Sequence, residues 1–385
     1  MPKLKLLLVA DTYYPKVDGT LRFMEEFISR AGQNFELSLL VPDLGKKKKP
    51  VNINAITYLN PSKFWKLSGY PNMKLSFKNF RLIKKSIQQA DIVFVQGPAA
   101  ISYLALHYAA KYNKTSIFYI HTIAWEVFEK FLPPIVNKLF LKIIKRVTIY
   151  FYNKCNQILV PYTELKDRLV KQGVKAKMSV AKLGVDIDKY SPSTDIGRSK
   201  IKVGITSSKK VVGYVGRISK EKNTLILLEA FKKLKNQEDL HLLMVGDGPK
   251  DQTKYFKELS NCTITGFVDN VQDYLKAMDV FVMPSLTETT SLATLEAMSC
   301  GLPVIVTKIG FMKRYIIKNH NGLFFPKDSS SVLAVKIEKI LQDHEFKTKI
   351  SQNARKTVAY SFSWDRSINK IKKIILGQEF NYKKE

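Results

Sequence analysis

The sequence predicts an α/β protein with two Rossmann-like, doubly wound parallel-sheet domains facing a deep cleft. Three observations lead there. Short apolar runs alternate with longer helical stretches along the whole chain, the runs are continuously apolar, and they fall into two series. A strand buried on one face alternates in polarity, whereas a parallel strand covered by helices on both faces does not. The first series is Leu6–Ala10, Leu37–Val41, Ile92–Val95, Ile117–Ile120 and Gln157–Val160. The second is Val211–Val215, Leu240–Val245, Thr263–Thr265, Val280–Met283 and Pro303–Val306. Turn residues cluster between them, from Gly184 to Pro192. The expected division is therefore 1–186 and 187–360, with a basic amphipathic segment, 361–385, packing back on the first domain.

The length, 385 residues, suits two or three domains of ordinary size, and 45% hydrophobic with 25% charged residues is a globular composition. A disordered tail and a small disulfide scaffold are excluded. Three distant cysteines (Cys155, Cys262, Cys300) fit reduced thiols of the cytosol. No run approaches the roughly 18 apolar residues of a membrane span. Leu6–Ala10 is too short for a leader's apolar core, and Asp11 follows it, so a first strand is expected. The charge is unusual: 63 basic against 33 acidic residues give +30. Such a chain seeks polyanions, whether nucleic acid, an anionic membrane surface or phosphorylated ligands.

Neither a P-loop nor a glycine fingerprint after the first strand occurs, and the five histidines lack metal-ligand spacing. Asp186-Ile-Asp188 is a D-x-D, but it falls at the join and not at a strand end, so no metal is expected there. The informative stretch is Pro284-Ser-Leu-Thr-Glu288-Thr-Thr-Ser291-Leu292-Ala-Thr-Leu-Glu296-Ala-Met-Ser-Cys-Gly301-Leu-Pro303. It reads as strand, loop, helix, glycine cap and strand, with Ser291 or a nearby Thr capping the helix and Gly301 left-handed. On one continuous helix Glu288 and Glu296 would stand about 80° and roughly 12 Å apart, bracketing a ligand at the helix mouth. The same spacing also suits an ordinary surface acid followed by a helical one.

This segment closely resembles the E-x7-E region of glycosyltransferase family 4, retaining enzymes of the GT-B fold. The resemblance continues through Val211-Val-Gly-Tyr-Val-Gly-Arg217-Ile-Ser-Lys-Glu-Lys222-Asn, Val245-Gly-Asp-Gly-Pro249 and Gly266–Asp279. It covers nearly the whole chain, including Asp11-Thr-Tyr-Tyr-Pro15, Asp18-Gly19-Thr, Tyr119-Ile-His121-Thr and Leu183–Tyr190. It implies a hexosyltransferase using a UDP- or GDP-linked sugar as co-substrate, with no cofactor and no metal. By the same resemblance, Arg217 and Lys222 clamp the donor diphosphate, with the backbone N–H groups near Ser291 and Leu292. Glu296 accepts the ribose hydroxyls, Glu288 holds the donor sugar, Gly19 admits the diphosphate, and His121 contacts the sugar. Fixed cations are what a departing diphosphate needs when no metal supplies charge. One departure is Thr289-Thr-Ser-Leu, where family members often carry Gly-Phe-Gly; it puts a side chain at Ser291.

The acceptor is read from charge. Between Leu44 and Ala90 there are eleven Lys or Arg and no acid. Lys74, Lys78, Arg81 and Lys85 form one helical stripe, with Leu75, Leu82, Ile83 and Ile87 expected to pack and Phe64, Trp65 and Tyr70 as possible shallow anchors. From Pro134 to about Tyr152, Val136, Leu139, Phe140, Ile143, Ile144 and Val147 share an arc opposite Lys138, Lys142, Lys145 and Arg146. An acid-free basic face suits anionic headgroups, at about 1 kcal/mol per residue. The chain resembles the diacylglycerol glucosyltransferase- and phosphatidylinositol mannosyltransferase-like members of that family in placing such features on the first domain, and the resemblance implies a cytoplasmic enzyme held peripherally at the membrane, moving glucose or mannose to a lipid such as diacylglycerol or a phospholipid. The alternative is synthesis of a surface polysaccharide or lipid-linked oligosaccharide. Nucleic acid is not expected as a partner, because no reading element accompanies the charge.

Overall fold

The computed structural model describes residues 3–15, 19–45, 47–67, 70–126 and 137–378. The chain divides into two compact units, Met1–Lys182 with Asp365–Glu385, and Leu183–Trp364.

The first unit carries a parallel seven-stranded sheet in the order β3-β2-β1-β6-β7-β8-β9. Its strands are β1 (Leu4–Ala10), β2 (Phe35–Pro42), β3 (Ala55–Leu59), β6 (Ile92–Gln96), β7 (Thr115–Tyr119), β8 (Gln157–Val160) and β9 (Met178–Val180). Successive side chains point to opposite faces. Val93, Val95 and Phe118 join Ile83, Ile87, Ile101 and Ala105 in one core. Phe94 and Tyr119 meet Phe23 and Phe27 of helix Gly19–Ala31 instead. Helix Trp364–Ile375 joins this unit through Arg30–Asp365 (2.7 Å) and through Lys372 Nζ donating to Asn34 Oδ1 (3.2 Å).

The second unit has a parallel six-stranded sheet in the order β12-β11-β10-β13-β14-β15. These are β10 (Lys210–Val215), β11 (Leu240–Val245), β12 (Cys262–Ile264), β13 (Val280–Met283), β14 (Val304–Thr307) and β15 (Leu323–Phe325). Buried Asp279 holds β10 from its amino end. Its Oδ2 accepts from Val211 N (2.9 Å), and its carboxylate pairs with Lys200 (2.8 Å) and Lys347 (2.7 Å).

Central strands lie where the apolar runs predict them. Edge strands β3, β9 and β15, and the antiparallel pair β4 (Pro61–Leu67) and β5 (Tyr70–Met73), are additions. Gly213 lies inside β10, and a Cβ there would stand 2.0 Å from Met278 Sδ, so its lack of a side chain serves packing.

Candidate functional site

In an open parallel sheet, ligands bind beyond the carboxyl ends of the strands, where the strand order reverses direction. In the second unit that point lies between β10 and β13. The two loops leaving it are those carrying Lys222 and Glu288.

Past β10 the backbone runs flat against the extension of β11. Gly216 N donates to Val245 O (2.9 Å) and Ile218 N to Asp247 O (2.9 Å). A Cβ on Gly246 would come within 2.1 Å of Gly216 O, and one on Gly248 within 1.9 Å of Ile218 O. Only glycine allows this approach. It leaves Arg217 exposed just beyond the carboxyl end of β10, with its carbonyl accepting from the Tyr214 hydroxyl (2.8 Å).

The loop then joins the one after β13. Leu286 N donates to Glu221 O (2.9 Å), Thr287 Oγ1 to Glu221 Oε1 (2.9 Å), and Lys222 Nζ to Glu288 Oε1 (2.5 Å). Burial lowers the Lys222 pKa, but the Glu288 charge, their hydrogen bond and Glu221 outweigh it, so the net shift is upward. Lys222 is therefore a cation at neutral pH. An ammonium has three donors, so it can hold Glu288 and an anion together.

From the other side, Phe311 N donates to Thr289 O (2.8 Å) and the Tyr315 hydroxyl to Thr290 O (2.8 Å). Gly310, at φ +51°, lies so close that a Cβ would stand 1.9 Å from Glu288 O. Sequence reading missed Gly310 and Glu221. A glycine just past the end of β14, beside the loop of a singled-out acid, was the available signal for Gly310.

Glu288 is not helical, which corrects the continuous-helix spacing. The helix is Leu292–Ser299, so Glu296 stands on it, half-buried, while Glu288 lies in the preceding loop. Gly301 is left-handed as expected, at φ +72°. Ser291 occupies the N-cap at φ +62° without bonding the helix amides; its hydroxyl meets Thr294 Oγ1 at 2.8 Å instead. The Ser291 side chain thus bonds within the first turn and does not cap the amides of that turn. A guanidinium, an ammonium and a helix N-terminus around one switch point make a site for a dianion.

Gly19 and His121 belong to the first unit. Gly19 opens the helix after β1 and is exposed; Asp18 lies outside the described residues. His121 stands just past β7, with Nε2 2.9 Å from Gln96 Oε1 and its ring against Phe23 and Tyr119. Both follow strands that flank or adjoin the switch between β1 and β6.

The basic stripe needs correcting. Ser76 caps helix Phe77–Gln89, so Lys78, Arg81 and Lys85 share an exposed helical face, whereas Lys74 precedes the cap. Leu75, expected to pack, is 59% exposed. The side chains of Phe64, Trp65 and Tyr70, with Val136, Lys138 and Leu139, lie outside the description. Helix Asn137–Tyr152 also sits differently: Thr148 and Tyr152 are buried and Lys145 lies over Trp125 (5.7 Å), while Phe140, Ile143 and Val147 are exposed. At the join, Asp186 Oδ1 accepts from Asp188 N and Lys189 N, closing a turn. No described helix is long and apolar enough to cross a membrane.

A dianion site at the switch point suits the nucleoside-diphosphate donor of a glycosyltransferase. The chain belongs to that class by sequence: residues 17–189 match Glycosyltransferase Family 4, and residues 195–357 match Glycosyl transferases group 1. It is 24% identical over 387 residues to the alpha-monoglucosyldiacylglycerol synthase of Acholeplasma laidlawii, covering 91% of this chain and 92% of that protein. It is 25% identical over 381 residues to the UDP-Gal:alpha-D-GlcNAc-diphosphoundecaprenol alpha-1,3-galactosyltransferase of Escherichia coli, covering 95% and 96%. Among solved structures, HepE of Anabaena in complex with UDP superposes with a TM-score of 0.79 at 18% identity, covering 97% and 100%. The glycosyltransferase WaaG gives 0.76 at 16% identity over the same shares. The fold is GT-B.

Proposed function

We propose that this enzyme is a retaining, metal-independent hexosyltransferase that moves glucose or mannose from a UDP- or GDP-linked donor to a membrane lipid such as diacylglycerol or a phospholipid. The observation that carries the donor half is the Lys222–Glu288 pair, 2.5 Å apart where the sheet order reverses, beside exposed Arg217 and the amides after Ser291.

Arg217 and Lys222 hold the diphosphate and stabilise the charge it gains on leaving. Glu288, beside Lys222, holds sugar hydroxyls and favours positive charge at the anomeric carbon. Glu296 accepts from the ribose, His121 contacts the sugar and Gly19 admits the diphosphate. The anomeric C–O bond to phosphate breaks while the acceptor oxygen attacks from the same face. The acceptor proton passes to the departing phosphate oxygen, and configuration is retained.

The lipid acceptor draws support from the diacylglycerol-related name of one relative and from the acid-free basic face of the first unit. That face suits peripheral attachment to an anionic, cytoplasmic membrane surface. A second reading, transfer to a lipid-linked oligosaccharide, is favoured by the name of the Escherichia coli relative. Turnover of a panel of UDP- and GDP-sugars against a membrane lipid extract separates them. Label in diacylglycerol or phospholipid supports the first reading, and label confined to polyprenyl diphosphates overturns it.

A further inference from the structure

Gln96 ends β6 at the β1/β6 switch of the first unit, paired with Ala10 on one side and Tyr119 on the other. Its side chain is fully buried and points to the same sheet face as Phe94, a layer built from the rings of Phe23, Phe27 and Tyr119. The amide oxygen lies 2.9 Å from His121 Nε2, and the amide nitrogen has no hydrogen-bond partner among the described residues. A buried donor left unpaired costs stability, and a methionine would fill this aromatic layer without that cost. Packing therefore does not explain a glutamine here. The bond to His121 does.

The rings around His121 fix its plane, with Phe23 at 5.1 Å and 65° and Tyr119 at 4.5 Å and 31°. They do not tell its nitrogens from its carbons. Turned over about the Cβ–Cγ bond, the imidazole would present the same disc to the same neighbours. The hydrogen bond distinguishes the two orientations. A carbonyl oxygen only accepts, so Nε2 carries the hydrogen and Nδ1 is the acceptor atom of the neutral ring. Resting on the sugar contact given to His121 above, we propose that Gln96 is the positioning residue for that contact, selecting one orientation of the imidazole and holding its hydrogen on Nε2. Gln96 acts only through His121. A local rule broken without a packing gain, here the unpaired amide nitrogen, is what a residue kept for function shows.

The test compares wild type with Gln96→Met, His121→Ala and the double variant. Selective ¹⁵N labelling of histidine reads the tautomer, and His121→Ala identifies the signal. Wild type should hold hydrogen on Nε2, and Gln96→Met should show a mixture. Gln96→Met should unfold at the same denaturant concentration as wild type or a higher one. Its kcat, measured with the labelled donor that wild type turns over on lipid extract, should nevertheless fall about 10-fold, the worth of one hydrogen bond. Binding of UDP or GDP should not change. In the His121→Ala background Gln96→Met should cost nothing further, because effects that run through one residue do not add. Hydrogen on Nδ1 in wild type overturns the proposal, as does a wild-type kcat in Gln96→Met. Equal losses in both backgrounds with a lowered unfolding midpoint also overturn it, and mark Gln96 as structural. Normal transfer by His121→Ala would instead remove the sugar contact itself, a failure of that reading which the tautomer measurement keeps separate from a failure of the hold by Gln96.

Discussion

Gly310→Ala tests how tightly the Glu288 loop must be held. The new Cβ would begin 1.9 Å from Glu288 O, where ordinary contact starts at 3.4 Å, so one of the two backbones must move by about 1.5 Å. The left-handed φ of +51° adds about 1–2 kcal/mol of strain for any residue with a Cβ. The Gly310 side is anchored by buried Phe311 and Met312, with the Phe311 ring against Phe362 (6.1 Å), so the displacement falls on the segment carrying Glu288. A misplacement of roughly 1 Å in a reacting group costs about 100-fold in rate. The expected result is a kcat lowered about 100-fold, with the dissociation constant for UDP changed only a few-fold, because Arg217 is held by β10 and β11. Steady-state transfer and calorimetric UDP binding measure the two. A kcat within threefold of wild type would refute the claim that this contact sets the position of Glu288.

Glu296→Ala should weaken binding of the donor's nucleoside diphosphate, UDP or GDP, by about 1.5–3 kcal/mol, the loss of charge-assisted hydrogen bonds, and calorimetry that finds no change removes Glu296 from the ribose. Transfer should persist in EDTA, since Arg217 and Lys222 supply the cations; a strict need for Mg²⁺ or Mn²⁺ would return attention to Asp186 and Asp188. Asp279→Asn should cost the second unit about 3–5 kcal/mol in denaturant unfolding at neutral pH, because Lys200, 6% exposed, loses its partner. Burial raises the Asp279 pKa, but Lys347 and Lys200 outweigh it and the net shift is below 3.8. Its stabilisation is therefore complete above the unfolded value and lost as pH falls through the folded one. The gap between variant and wild type should narrow only in that acid range, and a gap that narrows between pH 8 and 6 would contradict the assignment.

The sequence carries the central strands because burial on both faces leaves them no polar position. Edge strands such as Ala55–Leu59 touch water on one side, and their mixed pattern hides them. Glu288, Glu296, Arg217 and Lys222 were legible as motif positions. That Lys222 would reach Glu288, 66 residues further along the chain, was not, because it depends on β10 and β13 being neighbours. The orientation of helix Asn137–Tyr152 was hidden for a related reason. Apolar and aromatic residues fill more than half of its turns, so periodicity leaves the buried side open, and contacts with Tyr103 and Trp125 decide it. Ser76 illustrates a local signal with a long consequence: as the cap, bonding Asn79 N, it excludes Lys74 from the helical stripe.

The central claim is that the two loops at the β10/β13 switch divide the donor, with Arg217 and Lys222 taking the diphosphate and Glu288 the sugar. Glu288→Gln keeps the side chain's shape and removes its charge, so paired UDP-binding and transfer measurements on this variant test the division directly. The account predicts UDP binding equal to or tighter than wild type, because Lys222 is freed from its ion pair, with transfer reduced to background. Near-normal transfer, or UDP binding lost in parallel with transfer in a folded variant, would contradict it.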